Sequence, residues 1–321
     1  MIKIYTAIKA KLINIGIIKY RRATQLTVLS LLSISVMSAS VVSHSVMATE
    51  GGGVGIYPDG LDNYLSGVLP PPGVHVLLYG GNIHYNQLRG NNGSRLPVPG
   101  FKVNVNVLAP RLVLVTDQQI MGGQLAYHTI VPLLSVTAEA GGKRSDSKGI
   151  GDITFGPALG YHPAPDLGYV IGLDISAPTG SYNRHDPSSP GKNHWAFQPV
   201  WAISYFPAYG YNTDLKVMYD FNLKNKKTNT TSGRAFHIDY ALGWGFGNGL
   251  VAGVGGYAFQ QVTNDSGPNS AQGKASAFGL GPSVRYANDK GLLVALKWQK
   301  DLIVTNRPAG SQLFLKVALP F

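Results

Sequence analysis

No cysteine occurs among the 321 residues, which excludes disulfides, thiolate metal sites and cysteine nucleophiles. Charge is scarce as well. Asp, Glu, Lys and Arg make up 13% of the chain, about half the usual share of a soluble domain. A soluble surface this poor in charge is hard to keep dispersed, whereas a belt of side chains facing lipid needs little. Acidic residues are missing altogether before Glu50, while six of the 27 basic residues (Lys3, Lys9, Lys11, Lys19, Arg21, Arg22) lie in the first 22 positions. Beyond them 21 basic residues face 16 acidic ones, so the formal +11 falls to +5. The remaining bases are scattered, with small clusters at Lys143-Arg144 and Lys224 to Lys227. A nucleic-acid partner requires one basic face or stripe, and none is visible. Long apolar runs are missing too. No segment after residue 48 approaches 18 uninterrupted apolar residues, so helical membrane spans are not expected there.

The leader itself has the order of a signal peptide. A basic start is followed by an apolar or small stretch from Leu26 to Val42 and then by Val46-Met47-Ala48. An uncleaved anchor is the competing reading, but Ser interrupts the run at positions 30, 33, 35, 38 and 40 and a cleavage-like site follows. Residues 1–48 are therefore expected to be removed and the exported chain to begin at Thr49.

What fills the rest is period-2 alternation, the mark of strands with two unlike faces. In residues 214–224, Leu215, Val217, Tyr219, Phe221 and Leu223 alternate with Asp214, Lys216, Met218, Asp220, Asn222 and Lys224. In 235–246, Phe236, Ile238, Tyr240, Leu242, Trp244 and Phe246 alternate with Ala235, His237, Asp239, Ala241, Gly243 and Gly245. These runs reach ten residues or more, about what a tilted strand needs to cross a bilayer and longer than most strands of soluble sheets. The pattern predicts about twelve strands, near 74–86, 100–117, 122–138, 149–162, 168–178, 194–206, 211–224, 234–246, 249–261, 274–287, 291–303 and 311–321. Longer polar connections (87–99, 139–148, 179–193, 225–233, 262–273, 304–310) alternate with tight ones such as Gly247-Asn248. Short turns at one rim and long loops at the other define an outer-membrane barrel, with both termini in the periplasm when the strand count is even. The final run places Leu313, Leu315, Val317, Leu319 and Phe321 on one face, and a terminal aromatic of this kind is expected to be read by barrel-assembly machinery.

Several strands carry words of one family. They include Pro70-Pro71-Pro72-Gly73, the run Gly149-Ile150-Gly151-Asp152-Ile153-Thr154-Phe155-Gly156-Pro157, and Pro178-Thr179-Gly180-Ser181-Tyr182. Tyr219-Asp220, Phe236-His237-Ile238-Asp239-Tyr240 and Phe278-Gly279-Leu280-Gly281-Pro282 follow in order. The chain resembles the outer-membrane family linked to the meta-pathway of phenol degradation. Thr230 departs from the pattern, since a Tyr is expected shortly before Ser232-Gly233. The resemblance implies a barrel that passes small hydrophobic or aromatic solutes.

No motif for nucleophilic or zinc hydrolysis stands in the mature chain, so no catalytic residue, metal or cofactor is expected. His237 and Asp239 share one strand face and could make an acid–base pair. The plainer reading places them in a polar lumen lining with Asp174, His194, Gln198, Asp214, Lys216, Asp220, Arg285, Lys297 and Lys316. On that reading an alanine at 237 is tolerated, while Leu242 faces lipid. The His185-Asp186 pair lies in the longest loop and is read as loop structure rather than a metal site.

The expected layout is a signal peptide over 1–48, a leader or small plug over 49–72, and an all-β transmembrane antiparallel barrel over 73–321. Within the leader, Leu61 to Val68 is the piece that could sit in the barrel mouth. The expected function is a channel for small hydrophobic or aromatic solutes in the bacterial outer membrane. Its partners are outer-membrane lipid, barrel-assembly machinery and the solutes themselves. Alternatives are a polar-solute porin, a plugged structural or interaction barrel and, least, an outer-membrane enzyme.

Overall fold

In a computed structural model of the chain, residues 55–268, 270 and 273–318 are described. The expected cleavage site and Phe321 lie outside them. Fourteen antiparallel strands occur among the described residues: β1 (Gly73–Leu88), β2 (Lys102–Ile120), β3 (Gly123–Ile130), β4 (Leu133–Ala140), β5 (Lys143–Ile150), β6 (Thr154–Ala164), β7 (Leu167–Ser176), β8 (Ala196–Tyr205), β9 (Tyr209–Asn222), β10 (Ala235–Phe246), β11 (Leu250–Gln261), β12 (Ser276–Ala287), β13 (Leu293–Thr305) and β14 (Pro308–Ala318). Twelve of them close a ring. From β1 it runs through β2, β3 and β6, then in sequence order from β7 to β14, and β14 pairs back onto β1. Closure leaves the ring without an unpaired edge, as a membrane requires.

The remaining two strands correct the sequence reading. The expected strand over 122–138 is divided at Val131-Pro132, because proline has no N–H to give a ladder. β4 continues along the upper half of β2, with Lys102 opposite Glu139 and Leu108 opposite Leu133. The expected loop over 139–148 is a hairpin instead. Gly141 and Gly142 both take positive φ (57° and 77°), the backbone of a tight two-residue turn, and β5 returns along β4. This polar ribbon extends the wall beyond the barrel ring. The other connection misjudged is 304–310, which is only the turn Asn306-Arg307 between β13 and β14.

Alternation sets which side of the wall each residue takes. On β10, Leu242 is 49% exposed and Phe236 45% exposed, whereas His237 is 2% and Asp239 4% exposed. A soluble protein would bury the other face. Apolar side chains outside and charged ones inside are the arrangement a lipid solvent demands. Aromatic side chains gather on the exterior toward both rims. Tyr209 and Tyr211 pack edge-on to Trp244 near the short turns, and Phe221 and Phe236 flank Tyr219 near the long loops. These are the positions of interfacial girdles.

Candidate functional site: the barrel interior

Inward positions of the strands bring together charges far apart in sequence, and the segment preceding β1 runs among them. Its order along the barrel is legible from its contacts. At the long-loop end Lys192 Nζ donates to the carbonyl of Gly55, and Tyr57 Oη donates to Asp174 Oδ2 at 2.9 Å. Asp59 then bridges a cation of β10 and one of the β13–β14 turn, with Oδ1 2.8 Å from His237 Nδ1 and Oδ2 2.7 Å from Arg307 Nη2. The backbone N–H groups of Gly60 and Asp62 donate to the two carboxylate oxygens of Asp239, at 2.8 and 3.0 Å. Asp62 in turn meets Lys316 Nζ at 2.8 Å and Lys216 Nζ at 3.2 Å, while Lys297 Nζ donates to the Asp62 carbonyl at 3.0 Å. Nearer the short turns, Ser66 donates to Asp214 through both its N–H and its hydroxyl, and Gly67 N–H donates to Ser204 Oγ at 2.8 Å.

The fit is close enough that glycine is needed where the segment approaches the wall. Gly60 holds φ at +74°, a region L side chains rarely adopt. A Cβ at Gly243 would stand 2.5 Å from Tyr64 Oη and 2.7 Å from Val251 Cγ1, far inside van der Waals contact. Between Leu61, Tyr79, Ile130 and Arg111 a space of ≈ 20 Å³ remains, room for about one water.

All eleven residues named above as candidate lining are buried: Asp174, His194, Gln198, Asp214, Lys216, Asp220, His237, Asp239, Arg285, Lys297 and Lys316. They fall into groups. Asp220 accepts from Gln198 Nε2 at 2.5 Å and pairs with His237 Nε2 at 2.6 Å. Lys216, Lys297 and Lys316 converge on Asp62. Asp174 pairs with His128 Nε2 at 2.8 Å, Asp214 accepts from Ser204, and the Arg285 guanidinium lies 6.0 Å from the Tyr64 ring centroid. His194 stands at the loop junction, its Nδ1 3.2 Å from the Trp195 carbonyl.

His237 and Asp239 do not pair with each other. The first takes Asp59 and Asp220, the second the backbone of Gly60 and Asp62. An alanine at 237 would remove one partner from each of two buried carboxylates, leaving Asp59 on Arg307 and Asp220 on Gln198. Sequence reasoning also missed Asp59, Asp62 and Arg307. The signal available was the acidic pair in Asp59-Gly60-Leu61-Asp62, whose two carboxylates have no local cation.

Burial alone would raise the carboxyls of Asp59 and Asp62. The cations beside them outweigh it: Arg307 and His237 hold Asp59 below the usual carboxylate range, and Lys316 and Lys216 hold Asp62 well below it. Both therefore stay ionised at neutral pH. In the longest loop, Asp186 is likewise held far down, by hydroxyls of Ser145, Ser147 and Ser188. Those bonds tie the loop to β5, while His185 accepts from its neighbour Arg184. Among the described residues no group of three His, Asp or Glu side chains could hold a metal ion.

An antiparallel barrel of twelve strands with an apolar exterior and a charged interior is a transmembrane barrel of the outer-membrane class. Residues 85–317 match the family described as the putative MetA-pathway of phenol degradation, and the chain belongs to that family. No curated protein matches the sequence. Among solved structures, the chain is similar to an outer membrane channel from Pseudomonas putida F1, with a TM-score of 0.70 and 19% identity over 79% of this chain and 97% of that one. It is also similar to the transport unit of the autotransporter AIDA-I from Escherichia coli, with a TM-score of 0.48 and 8% identity over 80% and 95% of the two chains. For a FadL homologue of Pseudomonas aeruginosa the TM-score is 0.42, with 9% identity over 85% and 97%.

Proposed function

We propose that the protein is an outer-membrane channel for small hydrophobic or aromatic solutes, and that residues 55–69 are a plug whose displacement opens it. The observation that carries this reading is the segment's course along the lumen, held by Asp59 on His237 and Arg307 and by Asp62 on Lys216 and Lys316. Such contacts are electrostatic and hydrogen-bonded rather than apolar, so water filling the vacated lumen can replace them. Leu61 and Tyr64 add apolar packing on the wall, among Tyr79, Ile83 and Phe314 and among Ala241 and Val251, which release must also break. Twelve strands enclose a lumen narrower than the wide aqueous channels of about sixteen, which favours small solutes. The family's description in terms of phenol degradation, and the similar protein from Pseudomonas putida F1 being called a channel, support the cargo and the activity. The eleven candidate residues then line the path.

A plugged structural barrel is the second reading, favoured by the number of buried ion pairs on the segment. One experiment separates the two. The protein is reconstituted in planar bilayers with and without residues 55–69, and aromatic-solute uptake is measured in cells carrying each form. A channel shows small, intermittent conductance that becomes steady on deletion, with faster aromatic uptake than cells lacking the protein. Silence from both forms, with no uptake effect, refutes it. Large steady conductance without aromatic uptake points to a polar porin.

Export is proposed to remove residues 1–48, and Phe321 to complete the signal read at assembly. The reading includes no catalysis.

A further inference from the structure

The outer wall carries one feature that neither the channel nor the plug uses. On the lipid-facing side of β10 to β13, toward the long-loop rim, an open groove of ≈ 260 Å³ is bounded by Phe236, Ile238, Ala258, Ser276, Phe278 and Ile303. Its floor is shallow because Ala258 and Ser276 are small. Its walls stand out, with Phe236 45% and Ile303 64% exposed. The ladder is irregular here, since the β12–β13 register shifts between Phe278 and Gly279. Shifts of this kind bend a strand locally and re-aim its side chains.

Directly above the groove stand two cations. Arg234 and Lys274 lie in the connections that lead into β10 and β12, two residues ahead of Phe236 and Ser276, at the long-loop rim. Both are exposed. The Arg234 guanidinium lies 5.2 Å from the Phe221 ring centroid, which holds it against the wall. Lys224, Lys226 and Lys227 are exposed in the adjoining loop. Among the described residues none of these cations forms an ion pair with an acidic side chain. Asp265 is turned into its loop, accepting from Gly233 N–H and Gln261, and Asp301 accepts from Tyr257 and Gly310. A slot walled by Phe236, Ile238, Phe278 and Ile303, with Gln260 at its upper end beneath a cationic ledge, on the face that meets the outer leaflet, matches a lipid with phosphates at its head and acyl chains below.

We propose that this groove binds an outer-leaflet phosphoglycolipid of the lipid A class, one acyl chain lying between Phe236 and Ile303 and its head-group phosphates meeting the cations Arg234 and Lys274. The site is independent of the solute reading, because the side chains that wall it, Phe236, Ile238, Phe278 and Ile303, stand on the outer face. A second apolar occupant, such as a solute approaching from the membrane, would need no phosphate and would ignore the cations.

The test is equilibrium binding to the purified full-length barrel in detergent, read by native mass spectrometry, with bisphosphorylated lipid A, its dephosphorylated form and phosphatidylethanolamine as probes. We expect lipid A to bind one per barrel and at least tenfold more tightly than either of the other two. The Arg234→Glu/Lys274→Glu double variant should lose that tenfold preference, and Ala258→Trp, which fills the slot, should weaken all acyl binding at the site. Arg144→Glu, on an exposed arginine of the distal β4–β5 ribbon, should change nothing. Equal binding of the three probes by the unaltered protein overturns the proposal without recourse to any variant. So does a folded double variant that keeps the preference, while loss of the preference in Arg144→Glu would show general charge attraction instead of a site.

Discussion

Replacing Asp59 by alanine tests the plug most directly. Its carboxylate is 1% exposed and spans His237 and Arg307, the latter also 1% exposed. After the substitution His237 still has Asp220 at 2.6 Å. Arg307 keeps only the Phe259 ring, 4.7 Å from its guanidinium, and the charge of Asp301, and two of its nitrogens, Nε and Nη1, already lack hydrogen-bond partners. Removing one partner of a buried ion pair costs about 3–5 kcal/mol, because the other charge is left uncompensated. That cost applies only while the segment is docked. Once the segment leaves, lumen water reaches Arg307 and the penalty is relieved. The substitution therefore weighs on the docked state, shifting the docked-to-released ratio by about 10²-fold at the lower end of that cost, at 1.4 kcal/mol per decade.

In planar bilayers at neutral pH, the Asp59→Ala barrel should show openings about two orders of magnitude more frequent than the parent, with single-opening size unchanged. Asp59→Asn, which can still accept from Arg307, should fall between the two. Asp186→Asn, in an external loop tied to β5, serves as the control and should behave as the parent. The reasoning fails if Asp59→Ala inserts as a heat-modifiable barrel and its traces match the parent's.

Three other outcomes follow from the same contacts. Asp59 and Asp62 carry depressed carboxyl pKa values, so their contribution to docking is complete above the ordinary carboxylate pKa of about 4 and is lost as pH falls through the lower folded values; conductance should stay low from pH 8 to about 4 and rise only below, and a rise between pH 5 and 7 would contradict this. Gly243→Val forces a side chain into Tyr64 Oη and Val251; it should release the segment while leaving the barrel inserted, seen as protease access to residues 55–69, and continued protection would refute the proposed clash. Leu242→Arg, on the lipid face, should destabilise folding into bilayers by about 2–4 kcal/mol near the midplane; a lipid-face arginine that folds as well as the parent would reverse the face assignment.

The barrel was legible in the sequence because a two-faced wall writes its pattern residue by residue. Phe236 to Phe246 shows both faces of β10 without any long-range information, and the ring of twelve follows from counting such runs between turns. Errors arose where local chemistry resembled something else. Lys143 to Lys148 is polar on both faces, so it lacks the alternation that marks a spanning strand, and only Gly141-Gly142 announces its hairpin. Pro132 splits a run that alternation alone reads as continuous. Asn306-Arg307 looks like part of a loop because Pro308 follows, yet Pro308 pairs opposite Leu88 at the start of β14.

The interior was legible only as a list. Period-2 alternation says that Lys216, Asp239 and Lys316 point inward, but not which charge meets which across the lumen, because that depends on the stagger of the ring and on what fills it. Here the partners come from outside the strands. Asp62 lies 154 residues from Lys216 and 254 from Lys316, and Asp59 lies 248 from Arg307. No spacing rule spans such distances. A physical clue does exist in hindsight. A narrow interior that gathers Lys216, Lys297 and Lys316, with Arg307 buried at its long-loop end, needs carboxylates, and Asp239 is already engaged with backbone N–H groups. The segment immediately ahead of the first strand carries Asp59 and Asp62 three residues apart, with glycine between them to let the backbone turn. Charge that the strands do not balance among themselves thus points to the part of the chain that balances it, and makes that part the piece whose movement the cations would register first.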